Sequence, residues 1–420
     1  MKYTLQQNAH QGSEPVEIEL PDSWEVQYYG LPCDQHLPLT KEEIRQKINQ
    51  PFASPRIAEL AKTAKHVCIV FDDITRGTPI QPLAEIVVEE LLDAGIKPGN
   101  IELICALGTH GAQNREDHVK KLGADIVNRF AVYNHNCYDN TVCVGYTTRG
   151  VPATVNAEFM KCDLRIGLGG ITPHTMNAFG GGGKLIFPGI AGIDTIAHNH
   201  ETATSYIQEH KLNSSALMGN LALRGMREEI EEMIRMVGQF FKIDCLYNSK
   251  LEIVDVYAGD AIDEYYAAIP AAQACYGIDK PEEQDVVIVN ANAKATEATI
   301  ATGFAAMGLK RSGGDVVLID HTNRGQTTHF LFGSFGHRTG GKMMGAMPTV
   351  RPEVERYICW MPHPDLGAAH WFGETEKQIY LKTWEEVMQL LLEKHGPQTK
   401  AAIIADGTLS FYKPDIGNKD

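Results

Sequence analysis

Short apolar, β-branched runs alternate along this chain with stretches of helical spacing. HVCIVF (66–71) reads as a strand buried on both faces, ending at Asp72-Asp73-Ile74-Thr75-Arg76-Gly77-Thr78-Pro79. Leu83, Val87 and Leu91 then recur every four residues, predicting a helix that stops at Gly95. IELICAL (101–107) predicts a second strand running into Gly108-Thr109-His110-Gly111. DLRIGLG (163–169) predicts a third, opening onto a glycine-rich segment that reaches His200. Met226, Ile230, Met233, Val237 and Phe240 mark an amphipathic helix, and LEIVDVYAGD (251–260) another strand. After the polar stretch 277–283, QDVVIVN (284–290) starts a fresh α/β unit. Near the end, Trp384, Val387, Met388, Leu391 and Leu392 form one helical stripe, stopped at Gly396-Pro397, and AAIIADG (401–407) is a last strand. This alternation predicts an α/β protein with two α/β domains and a cleft between them. Residues 1–276 would form an N-terminal domain carrying the chemistry-bearing loops, and 277–404 a C-terminal domain closing the cleft. The tail 405–420 would pack back on the first.

Composition narrows the picture. At 420 residues the chain exceeds what one core usually holds. Lys and Arg number 38 against 53 Asp and Glu, a formal net charge of −15. Such a surface repels phosphate backbones and anionic lipids, so neither a nucleic-acid nor a membrane partner is expected. No apolar stretch approaches the ~20 residues of a membrane helix, and the N-terminus lacks the apolar run of a signal peptide. The nine cysteines are odd in number and include no C-x-x-C pair, which argues against a disulfide framework or a cysteine zinc site. The expectation is a cytoplasmic protein.

All three unusual loops follow strands, where open α/β sheets place their ligands. In the first, Arg76 offers a planar fork for a carboxylate or phosphate, while Asp73 and Thr75 suit ribose hydroxyls or phosphate oxygens. An Asx-turn with Thr78 as helix N-cap and Pro79 at N1 accounts for the same residues without function. In the second, His110 between glycines suits a general acid or base, or is an ordinary loop histidine, one of 16 in the chain. The third runs from Gly169 through His174 and Gly180-Gly181-Gly182-Gly183-Lys184 to His198-Asn199-His200. A P-loop is excluded, because Ala178 stands where its first Gly belongs and Leu185 where its Ser/Thr belongs. A dinucleotide fingerprint fails at Thr172. What remains is a lysine in a glycine-rich, poorly charged setting, where desolvation favours amine chemistry. The glycines suggest backbone passing close to something bulky. On a strand, His198 and His200 would share a face as metal ligands.

Taken together, Asp72-Asp73-x-Thr75-Arg76-x-Thr78-Pro79, Gly108-Thr109-His110, Pro173-His174, Gly182-Gly183-Lys184, Pro188-Gly189 and Asn199-His200 resemble the lactate racemase family of nickel-pincer-nucleotide enzymes. The likeness continues through Met218-Gly219-Asn220 and Val256-Tyr257-Ala258-Gly259-Asp260, covering roughly residues 65–275. The resemblance implies that Lys184 forms a thioamide with a modified pyridinium mononucleotide holding nickel, and that His200 is the metal's protein ligand. It implies His110 and His174 as the acid/base pair, with Asp73, Thr75 and Arg76 contacting cofactor and Arg76 also substrate. The implied activity is inversion of C2 of a 2-hydroxy acid by reversible hydride transfer, with other enzymes needed to make the cofactor. Hydride transfer fits the chemistry: removing the α-hydrogen as a proton would build a dianion, whereas hydride loss leaves a neutral ketone. Two histidines serve the hydroxyls of two enantiomers.

The second half departs from the family. Lactate-type members carry Asn-Gly-Gly-Tyr-Pro, then Tyr-Gln and a Lys; here the strand ends Asn290-Ala-Asn292-Ala-Lys294-Ala-Thr-Glu297, and the later positions are Ala301, Thr302 and Ala305. Lys294 is then the residue to replace the missing charge at the substrate. His321, Arg324, His329, His337 and Arg338 would line the cleft and suit a substrate larger than lactate, such as a sugar acid, or belong to solvated loops. Two other classes stay open: a metal-dependent hydrolase or lyase using His174, His198 and His200, and a non-catalytic cofactor- or metabolite-binding relative. The sequence leaves the particular 2-hydroxy acid and the oligomeric state open.

Overall fold

The computed structural model describes residues 1–8, 10, 14–209, 218–219, 221, 225–327, 351–372 and 374–414. Two six-stranded sheets organise them. In the first, the order is Ile253–Asp260, Phe241–Tyr247, Leu164–Gly170, Val67–Asp72, Ile101–Ala106, Ala131–Asn134; only the Ile253–Asp260 edge strand is antiparallel to its neighbour. In the second, Gln378–Leu381, Val354–Trp360, Gly314–Ile319, Val286–Asn290, Lys400–Ile404 and Glu25–Tyr29 are all parallel.

The strands read as continuous apolar runs because each is covered on both faces. Val67, Ile69 and Phe71 point into one core of the first sheet, and Cys68 and Val70 into the other. Val287 and Val289, then Val286 and Ile288, divide the same way in the second sheet. The four-residue spacing after Pro79 becomes the helix Ile80–Asp93, and Gly95 follows it at φ +94°. Thr78 is not its N-cap: Pro79 holds that position, without a side-chain cap.

Each sheet has a topological switch point, where successive strands leave a central strand in opposite directions. In the first sheet it lies between Val67–Asp72 and Leu164–Gly170; in the second, between Val286–Asn290 and Lys400–Ile404. Loops leaving the carboxyl ends of such strand pairs diverge and open a crevice. The chain ends cross between the units. Residues 1–8 and 14–29, placed above in the N-terminal domain, belong with the second sheet: Leu5, Ile18, Leu20 and Trp24 pack in its core, and Glu25–Tyr29 is an edge strand of it. Leu409 and Phe411, from the tail, join the first core. Among the described residues, no helix is long and apolar enough to cross a membrane.

Candidate functional site

The two switch points face each other. Gly77 comes so close to Ala293 that an added Cβ would lie 3.1 Å from the Ala293 carbonyl oxygen. Lys294 Nζ donates to the Pro173 carbonyl at 2.9 Å, and Arg76 Nη1 to Glu297 Oε2 at 2.6 Å. The loops after Val67–Asp72 and Leu164–Gly170 thus meet the 291–297 loop of the second sheet, and His110, from the loop after Ile101–Ala106, lies 3.8 Å from Glu297.

Asp73 organises the first loop. Its Oδ1 accepts from the Thr75 backbone N–H at 2.8 Å and from Thr75 Oγ1 at 2.5 Å, and its Oδ2 lies 2.5 Å from His110 Nδ1. Asp73 and Thr75, implied above as cofactor contacts, are therefore bound to each other and to His110. Burial pushes the Asp73 carboxyl up, but His110, Arg76 and Thr75 prevail and hold it below the ordinary carboxylate range. A carboxylate at Nδ1 keeps the proton there in the neutral ring and leaves the lone pair on Nε2, the form a general base needs.

Beneath this loop, Lys121 is fully buried and gathers three oxygens: Asp72 Oδ1 at 2.7 Å and the Arg76 and Thr78 carbonyls at 2.8 Å each. Lys121→Met removes the cation and leaves those acceptors dry, so we expect a loss of about 3 kcal/mol in unfolding free energy. Urea denaturation checks it; a loss under ~1 kcal/mol would mean water replaces the ammonium.

Lys184 sits on the single turn Gly182–Leu185. Gly181 (φ +86°) and Gly182 (φ +58°) need the left-handed backbone, and a Cβ on Gly181 or Gly183 would fall within 2.5 Å of Ile171 or Ile234. The bulky neighbours of the glycine run are the protein's own side chains. Asp244 Oδ2 accepts from the Gly182 N–H at 2.6 Å, while its Oδ1 pairs with buried Lys242 at 2.5 Å. Arg227 ties down the preceding residues through the Phe179 and Gly181 carbonyls at 2.7 and 3.1 Å. The Lys184 ammonium is lowered to about 7, by burial first and then by Arg76 and Arg227. Lys294 is lowered to about 8, by burial and then Arg76.

His174 accepts from the Met176 N–H at Nδ1 (3.1 Å) and is held well below the usual imidazole value, by burial, then by Lys184, Lys294 and Arg76. Neutralising Lys184 should therefore raise the His174 pKa. Following the His174 ring proton by NMR in Lys184→Gln checks the sign; an unmoved titration would show that burial alone governs it.

His200 stands on the helix Ile193–Glu209, its Nδ1 2.8 Å from the Ile196 carbonyl, which directs the neutral ring's lone pair to Nε2. Asn199 binds Glu229 at 3.0 Å and anchors that helix to Gly225–Val237. The shared strand face expected for His198 and His200 is not found. On a helix, residues two apart point to different sides, and His198 is exposed while His200 is buried. Among the described residues, no three His, Cys, Asp or Glu side chains are grouped to hold a metal.

In the second unit, Arg324 reaches Asp117 at 2.6 Å and His321 packs edge-on against Trp360. His329, His337 and Arg338 lie outside the described residues. Sequence reasoning missed Glu297, Lys121, Arg227 and the Lys242–Asp244 pair as site residues. Lys242 and Asp244 left a readable signal, charges two apart inside the apolar run FKIDCLY. Lys121 left none, resembling a surface lysine in a charged helix.

Known proteins share parts of this chain's sequence and its fold. The lactate racemase N-terminal domain matches residues 11–211. The lactate racemase of Lactiplantibacillus plantarum is 28% identical over 222 residues, 52% of this chain and 51% of that protein. The lactate racemase of Thermoanaerobacterium thermosaccharolyticum is 25% identical over 224 residues, 53% and 51%. The chain thus spans about half the length of the curated relatives it matches. In fold, the lactate racemase apoprotein of Thermoanaerobacterium thermosaccharolyticum aligns at a TM-score of 0.74 with 18% identity, over 99% of this chain and 100% of that one. A structural-genomics protein from Thermotoga maritima aligns at 0.64 with 20% identity, over 90% and 99%. The strand-end motifs and the domain match agree in likening this chain to the lactate racemase family, and the fold it shares with the lactate racemase apoprotein extends over nearly its whole length.

Proposed function

We propose that this protein is a racemase or epimerase that inverts C2 of a 2-hydroxy acid, using a nickel-pincer nucleotide tethered to Lys184. One observation carries the reading: the Asp73–His110 pair, His174, Lys184 and Lys294 all surround the Arg76–Glu297 contact at the meeting of the two switch points. The residues present fit the nucleotide. A lysine lowered to about 7 offers a neutral amine near neutral pH, which acylation requires. His200, oriented through the Ile196 carbonyl, offers Nε2 to a metal. When bound, the group supplies an electron-poor acceptor for hydride.

The chain's own residues do the rest. Arg76 holds the substrate carboxylate and so fixes C2 while its geometry changes. His110, with Nδ1 on Asp73, takes the hydroxyl proton at Nε2 for one enantiomer. His174 serves the hydroxyl of the other. Lys294, fixed on the Pro173 carbonyl, adds positive charge beside the bound anion. Burial of the site keeps water from the keto form.

The departures in the 291–305 segment favour a substrate larger than lactate, a sugar acid being the example to try first. A panel of enantiopure 2-hydroxy acids tests this, with inversion followed by chiral chromatography on protein made alongside cofactor-synthesis enzymes. The expected result is at least ~10-fold higher kcat/KM for a polyhydroxylated acid than for lactate, the discrimination that built hydroxyl contacts provide. Lactate turning over best would refute the substrate assignment and leave the reaction standing.

A further inference from the structure

Glu297 lies at the centre of the site, and the reaction as written gives it no part. Its side chain is 10% exposed, and it comes from the second sheet's loop, whereas Arg76 and His110 come from the first. Its Oε2 accepts from Arg76 Nη1 at 2.6 Å, and its Oε1 lies 3.8 Å from His110 Nε2. A 2-hydroxy acid offers the same two groups the same pair of oxygens: a carboxylate oxygen to the guanidinium and a hydroxyl oxygen to the base.

We propose that Glu297 is an internal stand-in for substrate, its carboxylate occupying the seat that the carboxylate–hydroxyl edge of a 2-hydroxy acid must take. The inference rests on the roles given above to Arg76 and His110. Two carboxylates cannot share that seat, because their charges repel in a buried setting where water screens little. Substrate binding therefore displaces Glu297.

The surroundings suit such a movement. The backbone around Glu297 is held: Gln326 Nε2 donates to the Ala295 carbonyl at 3.0 Å, and Gln326 Oε1 accepts from the Ala298 N–H at 2.9 Å. Gln326 is itself fixed by Asp320 at 2.8 Å. Displacement is then a side-chain rotation on a fixed turn. Lys294 and Lys184 both feel the Glu297 charge, so cations remain near the carboxylate as it leaves Arg76. The contact lowers the affinity for any simple anion, and substrates with further hydroxyls recover it through added hydrogen bonds.

Calorimetric titration of the cofactor-free protein with oxalate, which presents paired oxygens but cannot react, tests this. Glu297→Ala is expected to bind oxalate about tenfold more tightly than the parent, and Glu297→Gln, whose amide still reaches Arg76, by less. The gain should vanish when Arg76→Gln is added. Unchanged binding in Glu297→Ala overturns the proposal, and so does weaker binding, which would make Glu297 a direct anion-site contributor. If oxalate binding is lost with Arg76→Gln but not improved by Glu297→Ala, the stand-in alone fails. A gain that survives Arg76→Gln overturns the stand-in and the carboxylate role of Arg76 together, as does an absence of binding in every form. Thermal melts of each variant identify unfolding, and the isosteric Glu297→Gln keeps the comparison if the alanine variant does not fold.

Discussion

Lys184→Ala is expected to yield a folded protein that never acquires the covalent nucleotide. The turn that carries Lys184 is held by backbone and by its neighbours, through Gly182 on Asp244 and Gly181 on Arg227, not by the lysine side chain. Removing an amine that burial, Arg76 and Arg227 already disfavour in its charged form relieves repulsion, so stability should hold within about 1 kcal/mol. Denatured intact mass, with the protein produced alongside the cofactor-synthesis enzymes, gives the answer. The parent should carry an added mass that maps to Lys184, and the variant none. Loading of the variant would refute the tether. An unmodified parent, beside a family member loaded in parallel, would remove the basis for the nucleotide altogether.

Asp73→Asn is the second change expected to be severe, lowering kcat by about 10³–10⁴-fold with little effect on loading. The carboxylate accepts the Nδ1 proton of His110; an amide placed there can donate instead, which moves the ring proton to Nε2 and removes the lone pair the base needs. Kinetics of the loaded variant on the preferred substrate, with a pH profile, separate this from a structural role. A fall of less than tenfold with an unchanged profile would show that Asp73 does not act through His110. Stability should respond with a definite sign. Asp73 is held below its ordinary range, so its contribution is present above the unfolded-state value of about 3.9 and fades as pH falls through the folded one. The parent and Asp73→Asn should therefore differ in melting temperature at neutral pH and converge in acid.

Much of this architecture is legible in the order of the residues. HVCIVF, IELICAL and DLRIGLG are strands because parallel strands covered on both faces need an apolar residue at every position, and the loops that leave them carry Asp73, Arg76, His110, His174 and Lys184. The site residues were legible as types at strand ends. Their couplings were not. That Asp73 turns toward His110 depends on two strands lying side by side, and the role of Lys121 depends on a helix bringing an apparent surface lysine under a loop some 45 positions earlier. The glycine run implies backbone passing close to bulk, but that bulk is Ile171, Ile234 and Asp244, none of them adjacent in sequence.

The N-terminus shows the same division. Glu25–Tyr29 is a strand, yet nothing local says which sheet receives it, because an edge strand pairs with whichever backbone the chain's path brings beside it. Helical and strand periods, strand-end loops and residue chemistry are encoded within a dozen positions, and from them follow the α/β class, the three loops and the lactate racemase likeness. The tertiary structure alone decided that two switch points abut and that Glu297 closes on Arg76, 221 positions away. Such contacts are set by how two separately formed cores pack together, and the residues that make them have no period or spacing to announce them.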